Sequence, residues 1–204
     1  MRPRRLALAV GAVGLTVLFA ACTDHAGPEL PTPTATAPTA SPEAASPTPT
    51  LSPEEAAKQE NIAAAEERYE EYLVASDAVL TDPSEGNPLE TIRPYIGSEE
   101  MVTWWTSVPQ QFADQRLHQE GTSILVSTTL TGYEGDPLGD GTQVVTIEAC
   151  VDFTDVTVVD ADGNPAEASY TATTPVIQDV VLQRQPDDRW TIQEASTRQP
   201  FAEC

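Results

Sequence analysis

The sequence predicts an α+β fold in which helices come first and antiparallel strands follow. Between Ser52 and Phe112 apolar residues recur at helical spacing behind cap residues, and after Gly121 they alternate. The patterned region, about 150 residues, is long enough for one domain with a real core. The boundaries read as 1–21, 22–52 and 53–204.

Ser52-Pro53-Glu54-Glu55 opens the first helix with an N-cap Ser, a Pro at the first helical position and a Glu three residues after the cap. The helix is expected to run to about Val79, before Thr81-Asp82-Pro83. Ile62, Ala65, Tyr69, Tyr72, Leu73 and Ser76 form its core stripe. Glu66, Glu67, Glu70 and Glu71 lie opposite and read as a solvated face. Asn87-Pro88-Leu89-Glu90 starts a short second helix ending at Gly97. Ser98 opens a third, with Met101, Trp105, Val108 and Phe112 on one stripe and a kink or break expected at Pro109. Neighbouring residues on a helix point about 100° apart. Trp105 therefore reads as core and Trp104 as partly outward.

Ile124, Val126, Thr128 and Leu130 alternate in the first clear strand, followed by a Gly- and Asp-rich loop from Gly135 to Gly141. In the next, Val145, Ile147, Ala149, Val151 and Phe153 face the core, while Thr146, Glu148, Cys150 and Asp152 face out. Asp160-Ala161-Asp162-Gly163-Asn164 has its Gly too early for a calcium loop and lacks the distal Glu, so it reads as a hairpin turn. Strands around Tyr170 and from Val176 to Arg184 come next. A hairpin at Gln185-Pro186-Asp187-Asp188 leads into Trp190-Thr191-Ile192.

Ahead of these elements stand Arg2, Arg4 and Arg5, an apolar run from Leu6 to Phe19, then Ala20-Ala21-Cys22. This is the layout of a secretory signal, and the run is shorter than the roughly 20 residues a span needs. With Cys22 directly after the small residues, the segment resembles the lipobox of bacterial lipoprotein precursors. The resemblance implies cleavage before Cys22, a diacylglycerol on its sulfur, and a stable anchor on the extracytoplasmic face of the cell membrane. Residues 23–52, rich in Pro, Thr, Ala and Ser, read as a disordered tether reaching roughly 90 Å when fully extended.

The sequence carries 10 basic and 32 acidic residues, and the chain from Cys22 onward keeps 7 basic against all 32 acidic, a formal charge of −25. So acidic a surface repels phosphate backbones and anionic headgroups, which excludes nucleic acid as a partner. With Cys22 lipidated, Cys150 and Cys204 form an even pair outside the cytoplasm and are expected to form a disulfide, stabilising the fold by roughly 4 kcal/mol on the chain-entropy model.

The first helix through Tyr69 to Leu73, the strand ending Ala149-Cys150-Val151-Asp152, Asp162-Gly163 and Arg189-Trp190-Thr191-Ile192 together resemble the nuclear-transport-factor-2-like (SnoaL-like) superfamily. They resemble in particular its lipid-anchored members in high-GC Gram-positive bacteria. The resemblance implies a cone, with the N-terminal helices packed in a curved antiparallel sheet and a cavity at its wide end. Tyr69, Tyr72, Trp105, Ile147 and Phe153 are candidate cavity-lining residues, and Trp104, Tyr133 and Trp190 are candidate partner surface. Enzymes of that fold place an Asp or His with a Tyr in the cavity. Here Asp152 falls on the outer face, His118 stands alone, and Tyr69, Asp77 and Asp179 are the remaining candidates. No nucleophile elbow, metal-ligand spacing or nucleotide fingerprint is present. No catalytic residue, metal or cofactor is therefore assigned. The expectation is a non-enzymatic module that binds a small apolar ligand or an envelope protein; the alternative is a cavity enzyme of isomerase or dehydratase type.

Overall fold

A computed structural model of the chain describes residues 51–166, 173–198 and Cys204. All lie in one of two compact units, Thr48–Cys204. The signal, Cys22, nearly all of the tether and the strand around Tyr170 lie outside the described residues.

Helix α1 spans Pro53–Thr81. Ser52 Oγ accepts from the Glu55 amide at 3.2 Å, and the Glu55 carboxylate accepts from the Ser52 amide at 3.2 Å, so two orphan end groups are satisfied reciprocally. Ala65, Tyr69, Tyr72, Leu73, Ser76 and Asp77 are buried along it. The short α2 is Pro88–Ile92, capped by Asn87. Helix α3, Glu99–Gln115, is capped by Ser98 and runs unbroken through Pro109. The expected break does not occur. Met101, Trp105 and Pro109, four residues apart, form the buried row of this helix, so Pro109 is a core residue.

Six strands follow: β1 His118–Glu120, β2 Ile124–Glu134, β3 Val144–Asp152, β4 Thr157–Val159, β5 Val176–Arg184 and β6 Trp190–Thr197. They overturn the expected α+β cone with its helices packed in one curved sheet. Among the described residues, strands outnumber helices six to three and divide between two separate antiparallel sheets, β2-β3-β5-β6 and β1-β4. The division coincides with a close contact between distant parts of the chain. Gly121, at φ 83°, turns the chain sharply between β1 and β2, and a Cβ there would lie 2.0 Å from the Asp155 carbonyl oxygen. The close backbone approach and the turn closed by the Val156 amide on Phe153 O at 3.0 Å lead β1 and β4 away from the long strands, where they pair with each other.

Alternation in β2 is also interrupted. Register shifts between Leu125 and Ser127 and between Leu130 and Gly132 make Val126 and Thr131 bulged residues. Leu125, Thr128, Leu130 and Tyr133 therefore oppose the inward Val151, Ala149, Ile147 and Val145 of β3. Ile124, expected to share one face with Val126, Thr128 and Leu130, opposes Asp152 on the outer face instead and, like Val126, is more than half exposed. The core joins Ala65, Tyr69 and Leu73 to Trp105, Ile147, Val180, Leu182 and Ile192. Trp190, a candidate surface residue, is buried in it.

On the outer face Glu148 of β3 stands directly opposite Asp179 of β5. Arg198 bridges these like charges, with its Nη2 2.7 Å from Glu148 and a second contact to Asp179. Those hydrogen bonds, to Asp179 first and then Glu148, raise the guanidinium pKa. Cys150, on the same face, is bonded to Cys204 across a Cα separation of 5.8 Å.

Candidate functional site

A cavity of about 350 Å³ lies between α1, α3, the start of β2 and the end of β6. Two neighbouring turns of α1 bring Tyr72, Ser76 and Asp77 to it, and α3 contributes Met101, Trp104 and Trp105. Gln119, Ser123, Phe153, Gln178 and the segment from Gln193 to Thr197 close the remaining sides.

The aromatic wall is continuous. Trp104 and Trp105 meet edge to face with centroids 4.6 Å apart, and Trp105 meets Tyr72 the same way at 6.0 Å. These are the offsets that ring quadrupoles favour. Trp105 Nε1 donates to the Tyr72 hydroxyl at 3.2 Å, so the burial of both groups leaves neither without a partner. Burial pushes the Tyr72 phenol up to about 12, partly offset by that donated bond. Tyr69, fully buried behind it, is raised further by desolvation and then by the nearby Tyr72, and its hydroxyl donates to Gln178 Oε1. Both phenols are neutral at physiological pH.

Asp77 is the buried acid of the site. Its carboxylate accepts from Gln119 Nε2 at 2.7 Å, the Ser123 amide at 2.6 Å and Ser123 Oγ at 2.8 Å. Three of its roughly four lone-pair positions are thereby engaged. The bonds tie α1 to β1 and to the start of β2. Glu100 and Glu194 lie at the solvent-facing side of the same cavity.

The structure thus brings Tyr72, Trp105 and Phe153 to the cavity. Tyr69 lies one layer deeper and touches it through Gln178, while Ile147 is fully buried among core side chains. Trp104, expected at a partner surface, is half-exposed on the cavity wall. Tyr133 is held to α1: its hydroxyl accepts from Asn61 Nδ2 at 3.1 Å and donates to Gln143 Oε1 at 2.9 Å, with Lys58 above its ring. The other acids considered for catalysis are engaged elsewhere. Asp152 accepts from the Thr154 amide at 2.8 Å, and Thr154 holds its pKa below the ordinary value, backbone first and then side chain. Asp179 pairs with Arg198, and His118 Nε2 lies 3.9 Å from Glu120. In the hairpin turn at Asp160, one carboxylate oxygen, Oδ1, accepts from both the Asp162 and Asn164 amides at 2.9 Å and so closes the turn. Among the described residues no group of three or more His, Cys, Asp or Glu is placed to hold a metal ion.

Sequence reasoning missed Gln119, Ser123 and Gln178. Each is a polar residue whose cavity position depends on the path of the chain through Gly121 or on strand register. Only Asp77 carried a signal, as an acid at the edge of the α1 core stripe.

No family model matches the chain, and no curated protein matches it. Among solved structures it is similar to the intermembrane space region of the chloroplast protein ARC6, at 13% identity and a TM-score of 0.48 over 67% of this chain and 95% of that one. So distant a likeness assigns this chain no role.

Proposed function

We propose that this chain is a lipid-anchored protein of the extracytoplasmic membrane face whose folded unit holds a small, largely apolar molecule without transforming it. The binding reading is supported by one observation: Tyr72, Trp104, Trp105 and Phe153 converge on one cavity of about 350 Å³, within the size range of ligand sites. Holding rather than catalysis is favoured because Asp77, the buried acid at the cavity, is fixed by three hydrogen bonds. A general base needs a free lone pair within hydrogen-bond reach of the proton it takes, and these bonds leave Asp77 only one of roughly four. The anchor rests on the run from Arg2 to Cys22. No helix among the described residues is long and apolar enough to cross a membrane.

The test of the ligand is native mass spectrometry of residues 22–204 carrying Cys22→Ser, made in an oxidising compartment and passed through host extract. A reproducible added mass that Trp104→Ala abolishes is expected. Protein that stays bare after repeated passes removes the holding reading. For the anchor, the full precursor should label with a fatty-acid probe and fractionate with membranes, and Cys22→Ser should do neither. A Cys22→Ser protein that still labels would overturn it.

A further inference from the structure

We infer that the ligand of the aromatic cavity is an organic cation, an amine or quaternary ammonium carried on an apolar body. The inference rests on the holding function proposed above and narrows its chemistry. Among the described residues the cavity is lined by three carboxylates, Asp77, Glu100 and Glu194, and by no Lys, Arg or His. None of the three has an ion pair among the described residues. Asp77 is satisfied by neutral donors only, which fix the carboxylate while leaving its charge uncompensated. The described ion pairs, such as Arg198 with Glu148 and Arg68 with Glu71, join residues that do not line the cavity.

Charge and aromatic rings coincide here. Trp104 is half-exposed at the cavity and backed by Trp105, with Tyr72 and Phe153 also in the lining, and the negative quadrupole on the face of such rings attracts a cation. Asp77, at the inner end, and the two glutamates, toward solvent, act in the same direction. A carboxylate or phosphate ligand meets repulsion from three charges with no basic residue to receive it. A neutral apolar ligand gains only from burial. The formal charge of −25 from Cys22 onward adds a long-range attraction for cations that concentrates them near the protein.

The probes are octyltrimethylammonium, octanol and octanoate, which share one tail and differ in head charge, each below its micelle threshold. They are titrated by calorimetry and tryptophan fluorescence into residues 22–204 carrying Cys22→Ser, which retain the whole compact unit Thr48–Cys204. The ammonium is expected to bind about tenfold more tightly than octanol, with octanoate weakest. Glu100→Gln and Glu194→Gln, both at exposed positions, should each weaken the ammonium about threefold and leave octanol unchanged. Octanol or octanoate binding as well as the ammonium, or glutamate variants without effect, overturns the cation inference and leaves the holding function standing. Binding that survives Trp104→Ala is not in this cavity and also overturns it. If no probe binds, both fall.

Discussion

Replacing Asp77 separates a structural acid from a catalytic one. Asp77→Ala removes the acceptor of three hydrogen bonds between 2.6 and 2.8 Å. Gln119 is only 5% exposed, so its stranded amide cannot easily find water, at a cost of about 1–3 kcal/mol. Ser123 is half-buried and can be partly resolvated, so its lost bonds cost about 1 kcal/mol more. The sum is about 3 kcal/mol, which for a domain of this size corresponds to a fall in Tm of roughly 6–12 °C. Asp77→Asn should cost far less, about 1 kcal/mol, because rotating the Gln119 amide presents its oxygen to the new Nδ2 while Oδ1 keeps the Ser123 amide. Urea unfolding followed by circular dichroism measures both, and hydrogen exchange at the Ser123 amide reports the local loss. Affinity for octyltrimethylammonium at low temperature should fall in Asp77→Asn at least as far as in Glu100→Gln, while octanol binding is retained. The reasoning is refuted if Asp77→Ala unfolds with wild-type stability, or if Asp77→Asn keeps full stability while losing a measurable turnover.

The double variant Cys150→Ala/Cys204→Ala releases a 54-residue loop and should lose about 4 kcal/mol by urea denaturation, with a loss under about 1 kcal/mol contradicting the chain-entropy account. Alkaline titration followed at 295 nm should show Tyr69 and Tyr72 ionising only as the protein unfolds. Their folded pKa values lie above the ordinary 10, so the stability they contribute is complete below pH 10 and is lost as pH rises toward 12 and beyond. A titration in which every phenol ionises near pH 10 with the fold intact would contradict their burial. Gly121→Ala forces a positive φ on a residue with a Cβ and drives it against Asp155 O, so it should destabilise by at least about 2 kcal/mol in the same urea assay. An Ala variant as stable as wild type would show that the backbone there relaxes at no cost.

The parts legible in the sequence are those set by near neighbours. The capping box of Ser52 and Glu55, the buried row of Tyr69, Tyr72 and Leu73, and the alternation of Val145 to Val151 follow from periods of 3.6 and 2, which the chain states directly. The partition into two sheets was not legible, because it depends on the backbone of Gly121 meeting Asp155, 34 positions away. The cavity was half legible. Tyr72 and Trp105 announce themselves as large residues on core stripes, but Trp104 needed the placement of β6 opposite α3, and Ser123 needed the turn at Gly121. Tyr133 and Trp190 misled for one reason. An aromatic residue near a loop reads as exposed, and only the fold shows Asn61 receiving the first and the core enclosing the second.

The two bulges of β2 bear on how this protein can change length. In a regular strand, losing one residue sends every later side chain to the opposite face, so insertions and deletions are excluded there. Val126 and Thr131 are already the surplus residues of their register. Deleting either would straighten the strand and leave Thr128, Leu130 and Tyr133 on their present face. β2 is therefore a strand that can shed a single residue at either bulge and keep its faces, whereas the regular register of β3 and β5 against each other leaves no such position there.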